Sequence, residues 1–176
     1  MNGKRGYHGE RVVVGDKVVI PLNLGATTFV DIKDGELLKD KALCFNGRYV
    51  EFSVPTGTGY DKYKKFLLHR FLMGSPEGMQ VDHIDGNKLN NCRGNLRVCT
   101  HSENRRNQKP RSDSRSRFKG VIYHPGKRLK RWQAMIKVDG KPISLKYHET
   151  EEKAALAYNE AALIYHGEFA RLNEVQ

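Results

Sequence analysis

The apolar residues of this 176-residue chain come in short periodic blocks separated by glycine, proline, asparagine and aspartate. No run approaches the roughly 18 apolar residues that would span a bilayer. A membrane-spanning helix is therefore not expected, and a set of small folded modules with exposed joins is the architecture such a pattern supports. Hydrophobic content of 38% is low for a globular chain, but its periodic placement argues against global disorder. The first 60 residues read as short strands: Val12 to Val14, Val18 to Leu22, Phe29 to Ile32, Ala42 to Phe45 and Tyr49 to Ser53. Asn46-Gly47 sits between the last two, and both residues tolerate the positive φ of a tight hairpin, so an antiparallel meander is expected.

Beyond it, Tyr63 to Met73 reads as one short buried helix stopped by Gly74-Ser75-Pro76, with His69 on it satisfied by local packing. Gln80 to His83 and Asn95 to Cys99 read as two strands around a loop rich in Asn, Asp and Gly. Thr100, with Glu103 three residues on, opens a helix that reaches Gln108 before Pro110. Residues 109–116 form an exposed basic linker. Three strands follow, Phe118 to Tyr123, Arg131 to Val138 and Lys141 to Tyr147, the last two joined by Asp139-Gly140. A final helix, Thr150 to Tyr165, has Thr150 as N-cap, Glu151 and Glu152 at the positive end of its dipole, and Gly167 just past its end. Ala154, Tyr158, Ala161 and Tyr165 are expected to share the face that lies on the sheet.

Charge is concentrated. Lys and Arg number 31 against 20 Asp and Glu, a net charge of +11, yet residues 105 to 146 alone carry 14 basic and two acidic side chains. Such a field suits a polyanion, and without a strongly amphipathic stretch beside it nucleic acid is favoured over a lipid surface. No apolar signal core follows Met1, so a cytoplasmic protein is expected. Three cysteines, Cys44, Cys92 and Cys99, argue against a disulfide framework, and without a CxxC pair they read as free thiols rather than zinc ligands.

The chemistry-bearing stretch runs from Val81 to Asn107. Asp82-His83 at a strand end is followed 21 residues later by Asn104 on the capped helix. Phosphodiester hydrolysis needs a base to activate water and a cation to neutralise the phosphate and leaving oxygen. His83 is the natural base, since a free imidazole titrates near working pH, and Asp82 with the Asn104 amide oxygen offers hard ligands for one Mg²⁺ or Mn²⁺. An EF-hand fails, because Gly86 as its sixth position puts Val81 at the first. Gly57-Thr58-Gly59 lacks the helix that a phosphate loop requires and reads as a plain loop.

The stretch VDHIDGNKLNNCRGNLRVCTHSENRRNQ (81–108), with LLHRFLMG before it, resembles the HNH endonuclease motif, the compact ββα-metal nuclease, in its phage homing-endonuclease branch. The resemblance implies His83 as general base, Asp82 and Asn104 as ligands of one Mg²⁺ or Mn²⁺ per active site, and Asn95 as the asparagine that pins the histidine-bearing loop. Residues 117 to 173 resemble a second family, the DNA-binding domain of plant ethylene-response factors (the AP-two type). The resemblance rests on Gly120-Val121, then Trp132, Ala134 and Ile136, then Thr150, Glu152 and Ala154, and a closing Gly-Glu-Phe-Ala-Arg-Leu-Asn at 167–173. It implies three strands laid in the DNA major groove with the helix behind. Where that family has Leu-Gly, this chain has Leu145-Lys146.

The expected protein is α+β: a β-rich portion (1–60), an HNH ββα-metal nuclease (61–108), the linker (109–116) and a three-stranded antiparallel sheet on one helix (117–174). Its expected function is metal-dependent cleavage of double-stranded DNA, with no membrane and no obligate protein partner; a monomer would nick, and a dimer would cut both strands. Arg105, Arg106, Lys109, Arg111, Arg117, Lys119, Lys127, Arg128, Lys130, Arg131 and Lys137 are expected on DNA, with Tyr123 and Trp132 against sugar or base unless Trp132 belongs to the core. The rival reading is a non-catalytic DNA-binding regulator on a relic nuclease fold.

Overall fold

The computed structural model describes residues 9–57, 62–110, 113–126 and 129–176. Of these, residues up to His101 form one compact unit and residues from Ser102 a second.

In the first unit, β1 (Val12–Val14), β2 (Lys17–Pro21) and β3 (Thr27–Asp31) make an antiparallel sheet in that order. Alternation along β2 and β3 buries Val18, Ile20, Thr28 and Val30, the period of two that a half-buried sheet demands. A short helix, α1 (Ile32–Leu37), interrupts the expected meander. A Cβ on its Gly35 would stand 2.5 Å from Val18 Cγ2, so the helix lies on β2 because this residue has no side chain. Its Asp34 is buried and receives Arg93 through Nε (2.9 and 3.2 Å) and Nη2 (2.8 Å). Tertiary contact, rather than local propensity, holds this helix.

A second antiparallel sheet follows, β4 (Cys44–Phe45), β5 (Val50–Pro55) and β6 (Tyr63–Leu67). The turn between β4 and β5 carries Asn46-Gly47 as expected, with Gly47 at φ 90° and Asn46 Oδ1 accepting from the N–H groups of Arg48 and Tyr49. The single helix expected over Tyr63 to Met73 is corrected: its first half is β6, paired to β5 with Phe66 stacked on Phe52, and only α2 (Leu68–Leu72) is helical. Then β7 (Gln80–His83) and β8 (Leu96–Cys99) pair antiparallel, Asp82 opposite Arg97. One core runs through the unit, joining Ile20, Val30 and Phe52 to Leu68, Val81 and Leu96. Cys92 and Cys99 are buried free thiols and Cys44 is half-buried. Thr58 and Gly59 lie outside the described residues.

Helix α3 (His101–Asn107) follows β8 directly. In the second unit, β9 (Val121–Tyr123), β10 (Trp132–Val138) and β11 (Lys141–His148) form an antiparallel sheet in the order β11-β10-β9. Asp139 and Gly140 make the β10–β11 turn, both at positive φ (47° and 79°) as a tight hairpin requires. Helix α4 (Glu151–His166) is capped by Thr150, whose hydroxyl accepts the Lys153 N–H at 3.2 Å, and Gly167 follows it at φ 53°. Ala154, Tyr158 and Ala161 are buried against the sheet with Ala155, Ala162 and His166; Tyr165 is 45% exposed, which corrects its expected place on that face. In the last turn of the 16-residue helix the inward position belongs to His166, which is buried and bonds the Lys137 carbonyl at 2.9 Å.

The Leu145-Lys146 departure has a structural counterpart. The pairing of β10 with β11 shifts by one residue between Gln133 and Met135, and Lys146 stands in that bulge at φ 74°. A side chain there costs about 1–2 kcal/mol, and glycine returns about 0.5–1 kcal/mol of that as unfolded-state entropy. Lys146→Gly is therefore expected to stabilise the protein by about 0.5–1 kcal/mol, read as a higher urea midpoint. A lower midpoint would contradict the strain.

Candidate active site

Adjacent residues on a strand point to opposite faces, and β7 uses this to separate two polar groups. Asp82 (8% exposed) faces its cross-strand partner, with Arg97 Nη2 and Nε donating to Oδ2 at 2.9 and 3.2 Å. Both side chains are nearly out of water, so the pair is weakly screened and its two charges depend on each other.

His83 (4% exposed) projects the other way, Nε2 lying 3.3 Å from Asn91 Oδ1. The orientation of that amide is set from its far side: Asn91 Nδ2 donates to Thr28 Oγ1 at 2.9 Å and to the Lys88 carbonyl at 3.4 Å, which turns the oxygen toward the imidazole. An acceptor at Nε2 assigns the proton to that nitrogen and makes Nδ1 the basic one. Burial pushes the His83 pKa down, as does the charge of Lys88, while Asn91, Asp85 and Asp82 oppose the fall. The neutral imidazole is thus the resident form near pH 7, the form a general base needs.

The loop between β7 and β8 is held by its own amides. Asn95 Oδ1 accepts the Asp85 N–H at 3.0 Å, and Nδ2 donates to Asp85 Oδ1 and the Asn90 carbonyl, both at 2.9 Å. Burial alone would raise the Asp85 carboxyl, but bonds from Asn90, the Asn87 backbone and Asn95 hold it below the usual carboxylate range. Backbone bonds from Phe29 to the Leu89 carbonyl (3.0 Å) and from Asn91 to the Phe29 carbonyl (2.8 Å) stitch the loop to β3.

Two residues that sequence reasoning did not assign to the site touch His83. One is Asn91, fully buried and hidden in the sequence among four loop asparagines. The other is His69, whose ring lies 5.0 Å from that of His83 and stacks on Tyr49 at 5.0 Å and 29°. Burial, reinforced by His83, Arg70 and Lys88, lowers the His69 pKa to about 3. Between pH 6.5 and 3 the unfolded chain therefore binds a proton that the folded chain refuses. The stability His69 contributes is complete above pH 6.5 and is lost on acidification, by at most about 1.4 kcal/mol per pH unit. His69→Phe, which keeps a ring between Tyr49 and His83, should flatten part of the fall in urea midpoint between pH 7 and 5. An equal fall in both proteins would refute this.

Asn104, half-buried, stands on α3 in the second unit, followed by the exposed Arg105 and by Arg106, which lies 3.7 Å from the exposed Asp139. Among the described residues no group of three or more His, Cys, Asp or Glu side chains could hold a metal. The set that the motif assigns is smaller and harder, one buried carboxylate and one amide oxygen, and it suits a small cation that keeps most of its water.

The basic residues fall into three groups. Lys109, Lys130, Arg131 and Lys137 are exposed, as is Arg117, which pairs with Glu152 at 3.2 Å and lies over the Phe118 ring. Lys119 is turned inward: Nζ donates to the carbonyls of Arg105, Arg106 and Gln108 and so caps the C-terminal end of α3. Arg111, Lys127 and Arg128 lie outside the described residues. Tyr123 and Trp132 are half-buried with ring centroids 4.9 Å apart, and Trp132 packs on the sheet–helix core. On the sheet face turned away from α4, His124 Nε2 lies 2.8 Å from Gln133 Oε1, and Gln133 Nε2 donates to Ser144 Oγ at 2.9 Å.

An HNH endonuclease family model matches residues 70–106, from α2 to α3. Protein 3.8 of Escherichia phage T7 is 33% identical over 96 residues, covering 54% of this chain and 77% of that protein. The uncharacterized HNH endonuclease L560 of Acanthamoeba polyphaga mimivirus is 37% identical over 117 residues, 63% of this chain and 59% of its own length. YosQ of Bacillus subtilis, named as an SPbeta prophage-derived HNH homing endonuclease, is 47% identical over 65 residues, 30% of this chain and 38% of its own length. No solved structure matches. Among the described residues no helix is long and apolar enough to cross a membrane.

Proposed function

Because this chain belongs to the family of phage T7 protein 3.8 and carries an HNH endonuclease domain, we propose that it is a metal-dependent DNA endonuclease of the homing type. The observation that carries this reading is the His83 imidazole, buried, neutral and oriented by Asn91 so that Nδ1 is its basic nitrogen. In the proposed reaction His83 Nδ1 takes a proton from water, the water oxygen attacks phosphorus, and the bond to the 3′ oxygen breaks as that oxygen takes a proton from solvent water, leaving 5′-phosphate and 3′-hydroxyl ends. Asp82 and Asn104 would hold one Mg²⁺ or Mn²⁺. When bound, the cation neutralises charge on the phosphate and the departing oxygen. Arg97 keeps the Asp82 carboxylate aimed along the strand pair. Asn95 closes the loop that follows His83, a structural rather than a chemical role.

The second unit is proposed to be the ethylene-response-factor-like domain that reads double-stranded DNA with the face of β9–β11 opposite α4. Arg105, Arg106, Lys109, Arg117, Lys130, Arg131 and Lys137 would meet phosphates or bases, with Tyr123 on the edge strand β9 and Trp132 beside it on the central strand β10. Arg111, Lys127 and Arg128 keep their sequence-based assignment. Lys119 is left out of this set, since its ammonium is taken by the carbonyls of α3. The proposed place of action is the cytoplasm of the host cell.

A DNA-binding protein without cleavage is the second reading, favoured by one observation: a guanidinium already sits on the carboxylate that a cation would need. Supercoiled plasmid decides between them. With the full chain and Mg²⁺ it should convert to nicked circle, and with chelator it should not. Plasmid that is bound yet intact under both conditions would replace the nuclease with the regulator.

A further inference from the structure

The basic surplus lies in the second unit, but the first unit has a small cationic site of its own beside His83. Tyr49 carries two cations on its ring: Lys88 Nζ at 4.6 Å and Arg48 Cζ at 5.3 Å from the centroid. The same ring stacks on His69, which in turn lies 5.0 Å from His83. Lys88 belongs to the loop stitched to β3, and its carbonyl accepts from the buried Asn91 amide that orients His83. The ammonium is therefore carried by backbone fixed to the same amide as the imidazole. Among the described residues neither Lys88 nor Arg48 is in an ion pair with a carboxylate. Two positive groups drawn to one ring repel each other, and the ring quadrupole offsets this only in part. An anion shared between them removes the repulsion and gains two charge-assisted contacts.

We propose that Lys88 and Arg48, organised by Tyr49, form a clamp for a backbone phosphodiester of the DNA strand that enters the His83 site. The clamp rests on the nuclease reading for its strand, but its chemistry is that of any DNA phosphate. It gives the first unit a hold on the substrate that the distribution of charge along the chain does not reveal. Its cations are gathered at the Tyr49 ring, which meets His83 through His69, so it would hold a phosphate near the reacting one rather than the reacting one itself.

Full-length wild type, Lys88→Gln, Arg48→Gln and the double variant are compared on duplex DNA in two measurements. The first is the salt dependence of binding in chelator, where no cleavage occurs. Each phosphate contact contributes about 0.9 to the slope of log K against log salt, so the double variant, which gives up one phosphate, should lose about 0.9 from it, each single variant about half of that, and Lys88→Arg none. The second is plasmid nicking in Mg²⁺, where the double variant should need several-fold more DNA for half-maximal rate while the rate at saturation stays within a few-fold. An unchanged slope overturns the clamp. A fall in saturated rate at unchanged slope also overturns it, because the two residues would then act on the imidazoles alone. A wild type that nicks nothing would refute the nuclease, whereas the slope in chelator tests the clamp by itself.

Discussion

Replacing Gly120 with alanine is expected to destabilise the second unit by about 2–5 kcal/mol, a large share of its stability, and to weaken the DNA binding proposed for it. Gly120 adopts φ 73°, and its carbonyl accepts the Met135 N–H at 2.8 Å, where the chain enters β9. A Cβ there would fall within the ring of the buried Tyr158 and 2.7 Å from the Met135 carbonyl oxygen. Neither obstacle is a flexible tip. The ring is locked under α4, where burial pushes its hydroxyl pKa up to about 12, and the carbonyl belongs to the central strand. Left-handed backbone costs alanine about 1–2 kcal/mol and the forced displacement about 1–3 kcal/mol more. At about 0.05–0.15 kcal/mol per residue a unit of this size is stable by only about 4–11 kcal/mol. Calorimetry or urea melts should show the transition of the second unit lost or shifted far down, with that of the first unit, whose core is separate, retained. A wild-type melt would mean that the Tyr158 ring can move aside.

Sequence alone made the polar skeleton of the nuclease stretch legible, because each part is a local signal: strand alternation at Gln80 to His83, Asx-rich turns after it, and a helix directly after β8. Asp139-Gly140 and the Thr150 cap were readable for the same reason. What could not be read depends on residues far apart in the chain. Helix α1 contains a glycine and exists because that glycine fits Val18 and because Asp34 meets Arg93, 59 residues on. Tyr63 to Leu67 looks helical until Glu51 to Pro55 is available to pair with it. Asn91 is one asparagine among several until Thr28, 63 residues away, fixes its amide and so the tautomer of His83. Lys119 counted as one more basic residue, although three backbone carbonyls of the preceding helix end take its charge. Charge counted along the sequence therefore overstates the cations available to DNA at Lys119 and misses those gathered at Tyr49.

The largest catalytic effect is expected at His83. Asn91 engages one imidazole nitrogen and leaves the other as the basic one, while burial lowers the pKa and favours the neutral ring. Alanine removes the proposed proton acceptor and leaves Asp82, Arg97 and the whole second unit as they were. General-base catalysis contributes roughly 10²- to 10⁴-fold, so the variant should lose that much rate with metal and DNA saturating. Its affinity for DNA should stay within a few-fold of wild type, since no expected phosphate contact is touched. The decisive measurement is the single-turnover nicking rate of wild type and His83→Ala on supercoiled plasmid in saturating Mg²⁺, with binding of both measured in chelator. The account predicts equal binding and a rate lower by at least about 10²-fold for the variant. Equal rates, or equal inertness of two proteins that both bind DNA, would contradict it.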